Sequence, residues 1–261
     1  MTQRIRTTAA ALSIAALAIL FVALGAQVSN AEKPAKVPSA EKILDRYVEA
    51  TGGIKAYDKL QNSVVKGTLE IPAAGITLDV TVYSARPGKV YSKAESPAIG
   101  SFESGTDGTI CWENSVMQGA RILEGTELAD KLRESRFESM AYWRGLYDTV
   151  RVTGVDTIAG SPCDKVELKT KDSKPRTYFF DQKSGLLAKT VSIVPTQMGD
   201  IAVEAFPSDY RKVGDILVSH KTSMKLMSQD RIMTITSVAY NAAIADSVFA
   251  VPAAIQELLK K

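Results

Sequence analysis

The chain has 261 residues, 45 % hydrophobic and 23 % charged, with a formal net charge of +3. No basic stripe appears anywhere, which excludes the electrostatic footprint of a nucleic-acid partner. Attraction to lipid by charge is equally weak, so any lipid contact must be hydrophobic.

The N-terminus carries Arg4 and Arg6, an uncharged apolar run from Ala9 to Ala26, and then Gln27-Val28-Ser29-Asn30-Ala31. A basic start, an apolar middle and small residues at Ser29 and Ala31 form a secretory signal peptide over residues 1–31, with cleavage expected after Ala31. Removing Arg4 and Arg6 with it leaves a net charge of +1. The competing reading is an uncleaved inner-membrane anchor, because the run has about the ~18 residues at which a span becomes possible. No cysteine lies in or just after this segment, so an acylated N-terminus is not expected. Residues 32–39, with two prolines and two lysines, read as a linker into one domain over residues 40–261.

Ser39 is a good N-cap for a helix whose Ile43, Leu44, Tyr47 and Val48 form one apolar stripe, ended by Gly52-Gly53. A second short helix is expected over residues 54–60. From Asn62 the period falls to two. Val65, Gly67, Leu69 and Ile71 alternate with polar neighbours. After the turn Pro72-Ala73-Ala74-Gly75, Leu78, Val80 and Val82 return. Further strands follow to about Glu113, and this group stops near Met117-Gln118-Gly119. A helix is expected from Gly125 to about Phe137, with Leu128, Leu132 and Phe137 inward and Glu127, Asp130, Lys131 and Arg133 in water. A loose aromatic stretch, Tyr142 to Tyr147, comes next. Strands then resume from Thr149 to Tyr240, and a tail with Phe249, Ile255 and Leu258 caps one end as a short helix. The turns are too short for parallel crossovers, giving about eleven antiparallel strands in two groups. The class is mainly β with a few helices on one side, α+β.

Catalytic and metal chemistry are not visible. The single histidine, His220, sits mid-strand without a partner motif. Cys111 and Cys163 supply no zinc spacing; they are either a disulfide or two buried thiols. Nucleophile-elbow, phosphate-loop and dinucleotide fingerprints are all missing from the sequence. No cofactor is implied.

The opening AEKILDRYVEATGG, the segment WENSVMQGARILEGTEL, the hairpin IAGSPCDKVEL, the turn YFFDQKSGLL and the closing FAVP resemble the exported LolA-like proteins, the outer-membrane lipoprotein-sorting family. The resemblance implies a strongly curved, half-open antiparallel barrel with helices as a lid over an apolar cavity, in a periplasmic or otherwise exported protein. It implies a non-enzymatic carrier of lipid or acylated lipoprotein, working between envelope donor and acceptor proteins. The same fold also serves as an envelope sensor or interaction module. The carrier branch locks its lid with an arginine, and the sequence singles out none for that role. An acyl chain buried in such a cavity recovers roughly 0.8 kcal/mol per CH₂. The expected lining is Val65, Leu69, Leu78, Val80, Val82, Trp112, Val166, Leu168, Ile216, Val218, Met224 and Leu226, with Met224 and Trp112 the most adaptable.

Overall fold

Period-two alternation builds thirteen strands, in a computed structural model that describes residues 38–260 apart from 172–173, 197–198 and 228. The expected signal peptide and most of the linker lie outside the described residues. The first group is β1 (Asn62–Ile71), β2 (Ile76–Ala85), β3 (Lys89–Ser96), β4 (Gly100–Thr106), β5 (Cys111–Ser115) and β6 (Gly119–Ile122). The second is β7 (Thr149–Ile158), β8 (Ser161–Lys169), β9 (Arg176–Asp181) and β10 (Leu187–Thr196), then β11 (Gly199–Val213), β12 (Ile216–Leu226) and β13 (Gln229–Tyr240).

All thirteen join one curved, unclosed antiparallel sheet in the order β6-β5-β4-β3-β2-β1-β13-β12-β11-β10-β9-β8-β7. Each group is a meander of hairpins, and the first strand pairs the last: Val65 stands opposite Val238 and Leu69 opposite Met233. The edges of the sheet are therefore β6 and β7, which are consecutive in the chain. The segment between them, α3 (Gly125–Glu134) and a 3-10 stretch (Ser139–Gly145), runs from one edge to the other.

Helices α1 (Ala40–Ala50) and α2 (Ile54–Asp58) precede β1. Ser39 caps α1 as expected, its Oγ accepting from the Lys42 amide at 3.4 Å. The α1 stripe seats Ile43, Leu44 and Val48 against Val166 and Leu168 of β8, Tyr178 and Phe180 of β9 and Ile216 of β12, with Phe137, Ala141 and Trp143 in the same core. Leu44, Val166 and Leu168 are fully buried. Burial of such a side chain is worth about 1.5–3 kcal/mol, so this contact fixes the N-terminal helices on the second half of the sheet. The C-terminal segment, a 3-10 turn (Asp246–Phe249) and α4 (Ala253–Leu259), reaches β3 and β6 and buries Phe249 and Ile255.

Three expectations change. The thirteen strands exceed the expected count chiefly through β6, whose four residues are too few to show a period and which is held by pairing to β5. Helix α3 ends at Glu134, leaving Phe137 beyond it in the core. Asp130, expected in water, is buried because Arg133 one turn on pairs with it. Cys111 and Cys163 are both buried free thiols on separate strands.

Gly67 marks the seam between first and last strand. The β1–β13 register shifts at Lys66/Gly67, and a Cβ on Gly67 would stand 2.2 Å from the Thr234 carbonyl oxygen. Backbone cannot yield as a side chain would. Gly67→Ala is expected to cost about 1–3 kcal/mol, read from the denaturant midpoint of unfolding.

Candidate functional site

The hydrogen-bond register decides which side chains share the hollow face. Val65 faces Val82 across β1–β2, and Leu69 faces Leu78. Across β13 the same side continues to Thr222, and along β12 to Ile216, Val218, Met224 and Leu226. It passes through Ala205, Thr190 and Tyr178 to Val166 and Leu168. Eleven of the expected lining residues thus share one face.

Trp112 is the exception and the correction. Cys111 and Glu113 take the hollow side of β5, so Trp112 points to the other, over Gly105 and 6.2 Å from the Tyr91 ring. There it is 2 % exposed. A period-two pattern gives alternation, not which of the two sets faces in.

The eleven divide again. Val166, Leu168 and Ile216 belong to the core under α1, and Val218 packs against it. Leu78 and Val80 are buried and Val65, Leu69, Val82, Met224 and Leu226 half-buried, away from those helices.

Over the helical end of the hollow face lies a polar and aromatic constellation that the sequence did not reveal. Its centre is Arg86, at the β2–β3 turn. The guanidinium donates from Nε to the Leu60 carbonyl at 2.7 Å and from Nη2 to the Tyr57 carbonyl at 3.1 Å and the Tyr142 hydroxyl at 2.6 Å. It also lies 5.6 Å from the Phe137 ring centre and 5.0 Å from that of Tyr142, within cation–π range. The Tyr142 hydroxyl in turn donates to Asp58 at 2.8 Å. One side chain therefore ties the sheet, α2 and the edge-to-edge connector together. A charged planar donor with several fixed N–H groups suits that task better than any neutral residue.

Glu138 sits beside it, at a left-handed φ of 51° between α3 and the 3-10 stretch. Burial raises its pKa; the Arg86 charge and a hydrogen bond with Tyr240 oppose that without cancelling it. Burial likewise pushes the Tyr57 hydroxyl up to about 12 and raises those of Tyr47 and Tyr240, so these phenols stay neutral. Tyr47, Ser63, Ser84, Val90 and the stretch Glu134–Met140 line an open pocket of about 330 Å³ between sheet and connector.

Farther along, ion pairs hold α3 to both halves of the sheet. Arg121 of β6 bridges Glu113 at 2.6 Å and Glu127 at 2.7 Å, while Arg176 of β9 pairs with Glu134. His220 is buried with Nδ1 3.0 Å from the Val218 carbonyl oxygen, a structural placement. No group of three metal-ligating side chains occurs among the described residues, and no described helix is long and apolar enough to cross a membrane.

This architecture is the LolA-like half-barrel. A LolA superfamily protein from Nitrosomonas europaea superposes with a TM-score of 0.56 at 12 % identity, over 82 % of this chain and 98 % of its own. A DUF1329 family protein from Desulfovibrio piger gives 0.55 at 13 % identity, over 81 % of this chain and 97 % of its own. An outer membrane lipoprotein-sorting protein domain from Vibrio parahaemolyticus gives 0.53 at 12 % identity, over 85 % of this chain and all 100 % of its own. No protein-family model and no curated protein matches the chain by sequence. At these identities the likeness is one of fold.

Two outcomes are expected at the Arg86 constellation. Arg86→Leu leaves the Tyr57 and Leu60 carbonyls without their donor and should cost about 1.5–3 kcal/mol in chemical denaturation. Glu138→Gln should stabilise the protein at neutral pH. Its folded pKa is raised, so the folded state favours the protonated carboxyl. The stability this gives is complete below the unfolded value near ~4.3 and is lost as pH climbs through the folded value. The gain in melting temperature of Glu138→Gln over the wild type should therefore grow from pH 4 to pH 7.

Proposed function

We propose that this protein is an exported, non-enzymatic carrier that shields lipid or a lipoprotein's acyl chains on the hollow face of its sheet. The observation that carries this reading is the register, which gathers Val65, Leu69, Leu78, Val80, Val82, Met224 and Leu226 on one face beside a polar bay. Toward the helices that face turns to Ser63, Ser84 and Glu138. An amphiphile fits such a gradient: its chain lies on the branched and thioether side chains, and its polar end meets the hydroxyls and the carboxyl. Each buried methylene contributes roughly 0.8 kcal/mol, so a single acyl chain suffices for micromolar binding.

The connector covers the cavity as a lid. It is held by Phe137, Ala141 and Trp143 in the core under α1 and, over the rest of its length, by Arg86 and the α3 ion pairs. The fold likeness to the lipoprotein-sorting domain supports the same reading. The sorting role, export with removal of residues 1–31, and envelope donor and acceptor proteins belong to this proposal.

The test is uptake of a fluorescent fatty acid, alongside native mass spectrometry of the gently purified protein for co-purifying lipid. Leu78→Glu and Val80→Glu should each lower probe affinity by about tenfold or more, since a carboxylate replaces apolar lining. Trp112→Phe, on the opposite face, should leave it unchanged. A protein that stays empty and takes up no probe overturns the proposal.

A further inference from the structure

In a meander, successive hairpins alternate between the two ends of the sheet, and the two ends of this one differ in chemistry. At the helical end the turns are charged and engaged: Arg86 in the constellation above, Asp215 paired with Lys59, and the Lys183 carbonyl accepting from Arg46. Besides the charged β8–β9 link (169–176, KTKDSKPR), the opposite end carries the β1–β2 link (71–76, IPAAGI), the β3–β4 link (96–100, SPAIG), the β5–β6 link (115–119, SVMQG) and the β12–β13 link (226–229, LMSQ). None of these four spans contains a charged residue, although 23 % of the chain is charged and exposed turns are the usual place for it.

Their apolar side chains point into water. Val116 is 75 % exposed, Met117 78 % and Met227 63 %. Pro72, Ala73, Ala74, Pro97 and Ala98 are exposed beside them. Turn geometry does not explain the choice. Met227 holds a left-handed φ of 49°, where glycine or asparagine is the unstrained residue, and its side chain serves no core. Val116 is ordered against the neighbouring tip: a Cβ on Gly100 would stand 2.8 Å from its Cγ2.

We propose that this end of the sheet docks on the surface of a lipid bilayer, with Val116, Met117 and Met227 entering the acyl region. Neighbouring tips are about 10 Å apart, two strand spacings, so a close-packed protein partner would meet separate knobs with gaps between them. Fluid hydrocarbon fills such gaps. Carboxylates would hinder entry, and none lies within the four spans; Glu70, Glu95 and Asp230 border them, Glu95 paired with Lys93. The exposed Lys169 and Lys171, at the β8–β9 link of the same end, add positive charge that anionic headgroups would meet. The docking surface does not require that the hollow face carry lipid, and the two readings fail separately.

The experiment uses the whole chain with Met117→Trp as a reporter, so that the apolar N-terminal run does not contribute to the signal. Trp112 and Trp143 are 2 % and 4 % exposed and give a fixed background. With phosphatidylcholine–phosphatidylglycerol vesicles, the added indole should shift to the blue and be quenched by bromine on the acyl chains. Adding Val116→Asp and Met227→Asp should weaken that quenching by about tenfold in lipid concentration. Their melting curve should match that of the single variant, since both sites are exposed. An indole that keeps its aqueous emission with vesicles overturns the proposal, as does quenching that the aspartates leave unchanged. Fatty-acid uptake in vesicle-free solution reports on the hollow face alone.

Discussion

The pairing of β1 with β13 is the contact on which the rest of the molecule depends. Each meander alone would be an open sheet with exposed edges. Joining first strand to last makes a single sheet whose free edges, β6 and β7, are neighbours in sequence. The connector then has to run from one edge to the other, and it becomes a cover for the hollow side as a consequence of topology. The join also links residues far apart in the chain, bringing Ser63 opposite Tyr240. Loop-closure entropy must be met before such a contact stabilises anything, so the seam needs close backbone approach, and Gly67 allows it.

The elements covering the hollow face are held by different physics. Helix α1 is seated by apolar burial against β8, β9 and β12, with Leu44 fully enclosed. The connector has Phe137, Ala141 and Trp143 in that core, but its span over β1 to β3 rests on Arg86, Tyr142 and Glu138, and α3 on ion pairs at both ends. Apolar burial is lost only by exposing area to water. Hydrogen bonds and half-exposed ion pairs exchange for water at about 1 kcal/mol each. Helix α3, held at both ends by ion pairs, therefore costs less to release than α1, whereas Phe137, Ala141 and Trp143 fix the rest of the connector in the core.

Polarity along the hollow face follows the same division. Under the connector the strand ends present Ser63 and Ser84, and Tyr47, kept neutral by burial, lines the same bay. Beyond α3 the same strands present Leu69, Leu78, Met224 and Leu226. At the far end four of the tips carry no charged residue.

Much of this was legible in the residues. The alternation at Val65 to Ile71 and at Leu78 to Val82 marked strands, because a sheet with one wet face must alternate. Ser39 and Gly52-Gly53 bracketed α1 through capping chemistry that is local to the backbone. The quoted motifs pointed to the fold, and the register places eleven of the twelve expected residues on one side. What the sequence could not hold was anything set by partners far along the chain. Trp112 went to the opposite face because its strand's parity is fixed by Gly105 and Tyr91, and β6 exists only as the partner of β5. Asp130 turned inward to meet Arg133, and Arg86 became a hub because folding brings Leu60, Phe137 and Tyr142 around one turn. Local propensity and period are properties of short segments and survive in the sequence; which face is hollow and which charge is enclosed are decided only when the two meanders meet.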